Sequence, residues 1–320
     1  MTSNKSIVVF IYGHILFLLV LSGFSTLLKA QEYKGHYLSY PWSIELGAGS
    51  GTPGRYFTNS FHLKISHLFD QKIHKRSKII GQFEVSQKIY VPGIYFKTDP
   101  DSFDRPFAGS LYFTASRTAV RNRFLYRTSL QLGVVGPASK AQGMHNLVKK
   151  VFRVEKFDGW EYQIKNNIGA NAVGELLYSI NVYRFMEMLA EGKVSLGTLQ
   201  TSLSAGAVFR IGRFLPLYET VFCQTDIGKR PRGLSEIFLF FAPRLHAQFY
   251  DATVQGGMFD NKSEFTSDLK PLVLSLESGM ALSISSVSLK LMLQAETERV
   301  DLQQRNRHFF VHFVFSYFFH

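Results

Sequence analysis

Residues 272–284 read Leu-Val-Leu-Ser-Leu-Glu-Ser-Gly-Met-Ala-Leu-Ser-Ile, and large apolar side chains recur at every second position along most of this run. A period of two residues places alternate side chains on opposite faces of a β-strand. The run is 13 residues long, whereas a strand of an ordinary globular sheet has about 5–6 residues. A tilted transmembrane strand needs about 9–11 residues. The stretch therefore predicts a strand that crosses a membrane in the wall of a β-barrel.

The same alternation continues in both directions from this run, between turn residues. It is found in residues 42–46, 61–65, 83–89, 107–113, 120–132, 237–249, 289–293 and 309–319. Along 120–132 the pattern places Val120 with Phe124 on one face and predicts that Arg121, Arg123 and Arg127 face the lumen. These segments amount to about twelve strands, and closure of a barrel favours an even number. The predicted fold is a closed antiparallel outer-membrane β-barrel; a soluble β-sandwich or lipocalin-like barrel is the alternative, but it would not need so many long apolar faces.

The first thirty residues differ from the rest. Lys5 precedes a largely apolar stretch from Ile7 to Leu28, and Ala30 precedes polar residues. This order predicts a signal peptide over residues 1–30 and a barrel domain over residues 31–320. An uncleaved membrane anchor is the alternative. We therefore expect the mature chain in the outer membrane, with the outer-membrane assembly machinery as its partner during biogenesis.

The chain carries a formal net charge of +12 and a single cysteine, Cys223, so that it forms no intramolecular disulfide. A strongly basic chain binds nucleic acid or faces an anionic membrane surface such as phosphorylated lipopolysaccharide. The signal peptide favours the second interpretation, and we expect no nucleic-acid partner.

One segment breaks the two-residue period. Between Ser139 and Glu155, apolar residues follow the spacing of an amphipathic helix, at Met144, Leu147, Val148, Val151 and Phe152. Ser139 and Gln142 fit a capping box at its start. Because a barrel wall is continuous sheet, the helix must lie in a loop or in the lumen. Loops carry function more often than walls, and this helix is therefore the first place to search for a site.

Four sequence blocks occur in the order found in the lipid A deacylase family, which this chain resembles over about residues 55–260. They are Asp-Arg-Pro-Phe-Ala-Gly at 104–109, Leu-Gly-Val-Val-Gly-Pro-Ala-Ser at 132–139, Gly-Trp-Glu-Tyr-Gln-Ile at 159–164 and Tyr-Asp-Ala-Thr-Val-Gln-Gly-Gly at 250–257. The resemblance implies a twelve-stranded barrel with an active site near the outer leaflet. It also implies calcium-dependent hydrolysis of the 3′-linked acyloxyacyl ester of lipid A, with a histidine as general base.

The residues at the implied site depart from the family pattern. In the loop helix, His145 stands where the family has glutamine, and Lys149 stands where it has the catalytic histidine. His145 and Lys149 are the candidate catalytic bases, together with Thr58 as a polar catalytic group, but Lys149 would have to lose its charge to accept a proton. A solvated or phosphate-facing helix surface is the alternative for both helix residues.

Other residues are candidates for binding. Lys97, Asn59 and Arg105 are the candidate substrate-binding residues, and a structural turn pair with Asp104 is the alternative for Arg105. The acidic Asn-Asp pair of the family's first strand is absent, which leaves Glu45 as the candidate metal ligand. Two functions consequently remain open. The chain is a lipid A deacylase with a rearranged site, or it is a catalytically silent barrel that binds lipopolysaccharide or serves a structural role.

Overall fold

A computed structural model describes residues 37–51, 56–93, 103–152, 159–231, 235–259, 262–303 and 308–319. In chain order the strands are β1 (Tyr37–Tyr40), β2 (Trp42–Gly51), β3 (Tyr56–Lys72), β4 (Ser77–Val91), β5 (Ala108–Arg121), β6 (Phe124–Val135), β7 (Asn167–Tyr183), β8 (Met186–Gly197), β9 (Gln200–Arg213), β10 (Gly228–Pro231), β11 (Ser235–Asp251), β12 (Leu272–Ile284), β13 (Val287–Glu296) and β14 (His308–Phe319). The α-helices are α1 (Ala141–Phe152) and α2 (Ala252–Gln255). Neither described helix has the length and hydropathy that a membrane-crossing helix requires.

Twelve of these strands form one closed antiparallel wall in the order β2 to β9 and then β11 to β14. Strand β9 pairs with β11, and the wall closes where β14 pairs with β2, with Phe313 opposite Ala48. Strands β1 and β10 are not part of the wall. The predicted fold, a closed barrel of about twelve strands with a short helix, is confirmed.

The two faces of the wall differ in polarity as the alternation predicts. On β12 the apolar parity is exposed, including Leu272 and Leu274, whereas Ser275 and Ser283 are fully buried. On β14, Phe309 is likewise exposed on the outer parity. An apolar exterior with polar groups inside is the arrangement of a barrel whose outer surface meets lipid.

The predicted lumenal row of arginines is wrong at two of its three positions. Arg121, the last residue of β5, and Arg123, in the turn between β5 and β6, are both exposed and do not face the lumen. Arg127 does face the lumen, where it forms an ion pair with Glu175 at 3.1 Å. Val120 lies inside the barrel instead of outside and is 1% exposed. The parity rule fails here because this part of the lumen is apolar.

Residues 214–227 fold into the barrel, and we call this segment the lumenal plug. The wall holds it from several sides: Lys78 of β4 donates to the Thr225 carbonyl at 2.8 Å, and Arg127 of β6 donates to the Cys223 carbonyl at 3.0 Å. On its other side, Leu217 and Val221 of the plug pack in an apolar cluster with inward-facing residues of β5, β6, β8, β9, β11 and β12, namely Val120, Leu125, Leu189, Val208, Phe238, Phe240 and Ala281.

The two ends of the barrel have different connections. At the end that we call the turn end, short turns at 73–76, 122–123, 184–185 and 285–286 join neighbouring strands, and the plug begins there after β9. At the opposite end, the loop end, longer segments join β4 to β5, β6 to β7, β11 to β12 and β13 to β14. In outer-membrane barrels the short turns face the periplasm and the longer loops face outwards.

Candidate functional site

Helix α1 lies against the outer face of β4 and β5 at the loop end. Ile89 and Val91 occupy the outward parity of β4, yet both are fully buried. Phe107, Ala141 and Trp160 pack over them in one apolar cluster. The helix predicted for a loop or the lumen is therefore in a loop on the outside of the wall, on the side that meets lipid.

A tight turn after β6 brings the helix onto the wall. Gly136 has φ +101°, and a Cβ at this position would lie 2.6 Å from the Ile164 carbonyl oxygen, so that only glycine fits without strain. The Ser139 hydroxyl donates to the Gly136 carbonyl at 2.6 Å, and Gln142 is exposed. Ser139 thus closes the preceding turn, and the predicted capping box with Gln142 is not formed.

The side chain of His145 points from α1 into this apolar cluster and is 1% exposed. The indole Nε1–H of Trp160 donates to its Nδ1 at 3.3 Å, and the two ring centroids are 5.6 Å apart. An imidazole nitrogen that accepts a hydrogen bond has no proton, so that a neutral His145 in this arrangement carries its proton on Nε2. Its acceptor nitrogen is consequently engaged by Trp160, and in this geometry it is not available to take a proton from water.

Asn59 is the predicted binding residue that the structure brings to this part of the wall. It is buried on β3 and stands opposite Ile89 of the cluster in the β3–β4 register. Thr58 precedes it in β3, and Lys149 follows His145 by one turn of α1, but the side chains of Thr58 and Lys149 lie outside the described set. Lys97 also lies outside the described residues, and the assignments of these three residues remain predictions.

Arg105 faces the lumen instead of the outer wall. Its guanidinium stacks over Tyr90 at 4.0 Å from the ring centroid and donates to the Thr253 hydroxyl at 3.1 Å. Burial lowers the pKa of this guanidinium from its usual value. Arg105 lines a cavity of about 210 Å³ at the loop end. The structure therefore separates it from His145 and Asn59, on the other side of the wall.

The same cavity contains an ion pair that sequence patterns did not single out. Arg299, in the loop after β13, donates to both oxygens of Glu296 at 2.6 Å and 2.8 Å and to Gln248 Oε1 at 3.0 Å. Burial opposes the charge of Arg299, but the Glu296 carboxylate outweighs it and raises the pKa of the guanidinium. These contacts join the loop after β13 to the end of that strand and to β11. The contact between Arg299 and Gln248 leaves no local pattern in the sequence, because these two residues are 51 positions apart.

Glu45, the candidate metal ligand, also faces the lumen. Its Oε1 accepts from Lys64 at 3.1 Å and from Gln224 at 2.7 Å, and its Oε2 accepts from Ser316 at 3.1 Å. Calcium takes six to eight oxygen ligands. Beside Glu45, however, the positive charge is supplied by the ammonium group of Lys64. Glu45 does not fit a calcium ligand, and the described residues hold no group of three or more acidic, histidine or cysteine side chains suited to a metal.

The closed twelve-stranded wall, its apolar exterior and the helix packed on the lipid side define an outer-membrane β-barrel. A sequence model of the family described as "Outer membrane protein LpxR" matches residues 16–319. The chain therefore belongs to the LpxR family of outer-membrane proteins.

Among solved structures, LpxR from Salmonella typhimurium is similar to this chain, with a TM-score of 0.70 and 19% sequence identity over 87% of this chain and 100% of that one. The β domain of the Bordetella autotransporter BrkA has a TM-score of 0.47 and 10% identity over 88% of this chain and 99% of that one. No curated protein sequence matches the chain. The first likeness confirms the barrel fold, and at this identity it does not extend to the chemistry.

Proposed function

We propose that this chain acts on lipid A at the outer wall, as a 3′-O-deacylase-type ester hydrolase. The observation that carries the proposal is the position of α1, which packs against the lipid-facing side of β4 and β5 and not in the lumen. A lipid in the surrounding leaflet can approach this helix laterally, whereas the closed wall separates the lumen, which the plug partly occupies, from that lipid. The proposal also rests on membership of the LpxR family and on the resemblance to lipid A deacylases.

The residues available for the reaction have different roles. Asn59, which belongs to the wall, can donate hydrogen bonds to the lipid and accept them from it. Leu147 is exposed on α1, where it can contact an acyl chain. His145 is held by Trp160, which leaves Lys149 as the candidate base if it is neutral in the bound complex. Calcium remains an expectation from the family, with ligands other than Glu45.

A catalytically silent barrel that binds lipopolysaccharide is the second candidate. Two observations favour it: the acceptor nitrogen of His145 is engaged, and the only acidic residue of β2, Glu45, is paired inside the lumen. In this case the outer-wall site still binds lipid A but leaves its acyl chains intact.

Mass spectrometry of lipid A from cells that express the chain, with and without calcium, separates these candidates. Hydrolysis predicts loss of the 3′-linked acyloxyacyl group, and Lys149→Ala should abolish that loss. Lys150→Ala is the matched control, because Lys150 is the next residue of α1 and is exposed. His145→Ala tests the alternative base. Unchanged lipid A at confirmed surface expression would refute the proposed ester hydrolysis. Co-purification of lipid A with its acyl pattern intact would then support the catalytically silent barrel.

A further inference from the structure

The turn end of the barrel carries an arc of exposed basic side chains that the outer-wall site does not use. We call it the basic rim; its members are Lys72, Lys75, Arg76, Arg121, Arg123, Arg184 and Arg213, all exposed. They lie where β3 meets β4, β5 meets β6, β7 meets β8 and β9 ends. Because these strands are consecutive in the wall, the rim follows one side of the barrel. Its first two turns are joined by a hydrogen bond from the Asn122 amide to the Arg76 carbonyl at 2.9 Å.

The positive charge of the rim is largely uncompensated. In the described turn segments 69–77, 120–124, 182–186 and 211–214, Asp70 is the only carboxylate, and it pairs with Lys72 at 3.7 Å. The loop end differs: Lys165 pairs there with Glu264 at 2.8 Å, and Lys270 pairs with Asp301 at 2.8 Å. The described surface charge is therefore asymmetric between the two ends.

Aromatic side chains place the rim at the level of lipid headgroups. Phe69, Phe124, Tyr183 and Phe185 are exposed on the outer surface, and each is within a few residues of a rim cation. Tyr183 and Phe185 flank Arg184 and stack with their centroids 5.9 Å apart. Aromatic belts of this kind lie at the boundary between hydrocarbon and headgroups. Since a strand rises about 3.3 Å per residue, the cations next to the belt reach the phosphate groups.

We propose that the basic rim binds the phosphate groups of anionic phospholipids in the leaflet at the turn end of the barrel. Short turns mark the periplasmic end, so that these lipids belong to the opposite leaflet from lipid A. The inference does not depend on the proposed ester hydrolysis. A basic side chain near an anionic bilayer strengthens association about five-fold, and several act together in the rim.

Native mass spectrometry of the whole protein, in neutral detergent with equal amounts of phosphatidylglycerol and phosphatidylcholine, tests the proposal. We expect the protein to retain phosphatidylglycerol in preference to phosphatidylcholine by at least about five-fold, the effect of one cation. A variant with Lys75→Gln, Arg121→Gln, Arg123→Gln and Arg184→Gln should lose the preference. The matched control removes four lysines at the loop end: Lys140→Gln, Lys150→Gln, Lys165→Gln and Lys270→Gln. It should keep the preference.

Three results would overturn the proposal. They are equal retention of both lipids by the unaltered protein, an unchanged preference in the rim variant, and the same loss in both variants. Equal retention of the two lipids would favour an acidic protein as the partner of the basic rim. Heat-modifiable gel migration shows whether each variant folds. If the rim variant does not fold, a salt titration of the unaltered protein tests the proposal. At 1 M salt the screening length is about 3 Å, so that an electrostatic preference for phosphatidylglycerol should disappear. A preference that persists at 1 M salt would overturn the proposal.

Discussion

Trp160 donates its indole N–H to Nδ1 of His145 across 3.3 Å, and this contact ties helix α1 to the segment that follows it. Both side chains are buried in the cluster on the outer wall. The helix touches the rest of the barrel mainly through β4 and β5. Its attachment to the wall therefore depends on a few side chains, of which Trp160 is the largest.

Replacement of this indole should release the helix without opening the barrel. For Trp160→Ala we expect a loss of about 3–5 kcal/mol in the stability of the cluster, as for other buried aromatic side chains. Limited proteolysis in detergent should then cut within 141–152 faster than in the unaltered protein, while heat-modifiable migration persists. Leu147→Ala is the control, since Leu147 is exposed on the same helix. Equal cleavage of both variants would contradict this role of Trp160.

Two glycines of the same region should respond in opposite directions to alanine. Gly136→Ala places a Cβ against the Ile164 carbonyl at positive φ, which costs about 1–3 kcal/mol. Gly143 lies inside α1 with nothing within 4 Å of the added Cβ, so that Gly143→Ala should stabilise the helix by about 0.5–1 kcal/mol. Protection of α1 from protease measures both effects. A protected Gly136→Ala variant would show that the turn tolerates a side chain.

The lumenal plug should block ion flow through the barrel. Glu236 accepts hydrogen bonds from the Leu215 and Val221 amides at 2.8 Å and 2.7 Å and from the Thr220 hydroxyl at 2.8 Å. Glu236→Ala leaves these donors without their partner, and each unsatisfied donor costs about 1–3 kcal/mol. We expect this variant to conduct in planar bilayers, unlike the unaltered protein. Glu219→Ala, which alters a partly exposed acid of the plug, should remain closed; conduction by both variants would mean that Glu236 is not the anchor.

The single thiol reports on the state of the plug. Burial raises the pKa of Cys223 to about 12, so that the reactive thiolate is scarce in the folded protein at neutral pH. We expect slow alkylation by iodoacetamide in the folded state and fast alkylation in urea. Because the unfolded thiol ionises near pH 8.5, about the ordinary pKa of cysteine, the contribution of this group to stability falls as the pH rises above that value. Rapid alkylation of the folded protein would contradict the buried position.

The strands were predictable because each has one face against lipid and the other against polar groups, as in β12 and β14. The outer-wall helix was predictable as a helix, but not its position, because Ile89 and Val91 look like ordinary lipid-facing residues of a strand. Val120 was placed on the wrong face because the rule of a polar lumen fails where the plug brings Leu217 and Val221 against the wall. Glu45 was predicted as a metal ligand from its place in the first strand. Its hydrogen bond with Gln224 in the lumen was not predictable, because the two residues are 179 positions apart in the sequence.

The contact between Gln224 and Glu45 constrains the order of the folding steps. Gln224 of the plug bonds to Glu45 of β2, and the wall closes only when β14, at the end of the chain, pairs with β2. The plug has to be enclosed as the sheet curls, since after closure no gap in the wall remains between β2 and β14. Contacts between residues so distant in the chain form slowly, and a translation product that stops before β14 would be left with two unpaired strand edges exposed to other chains.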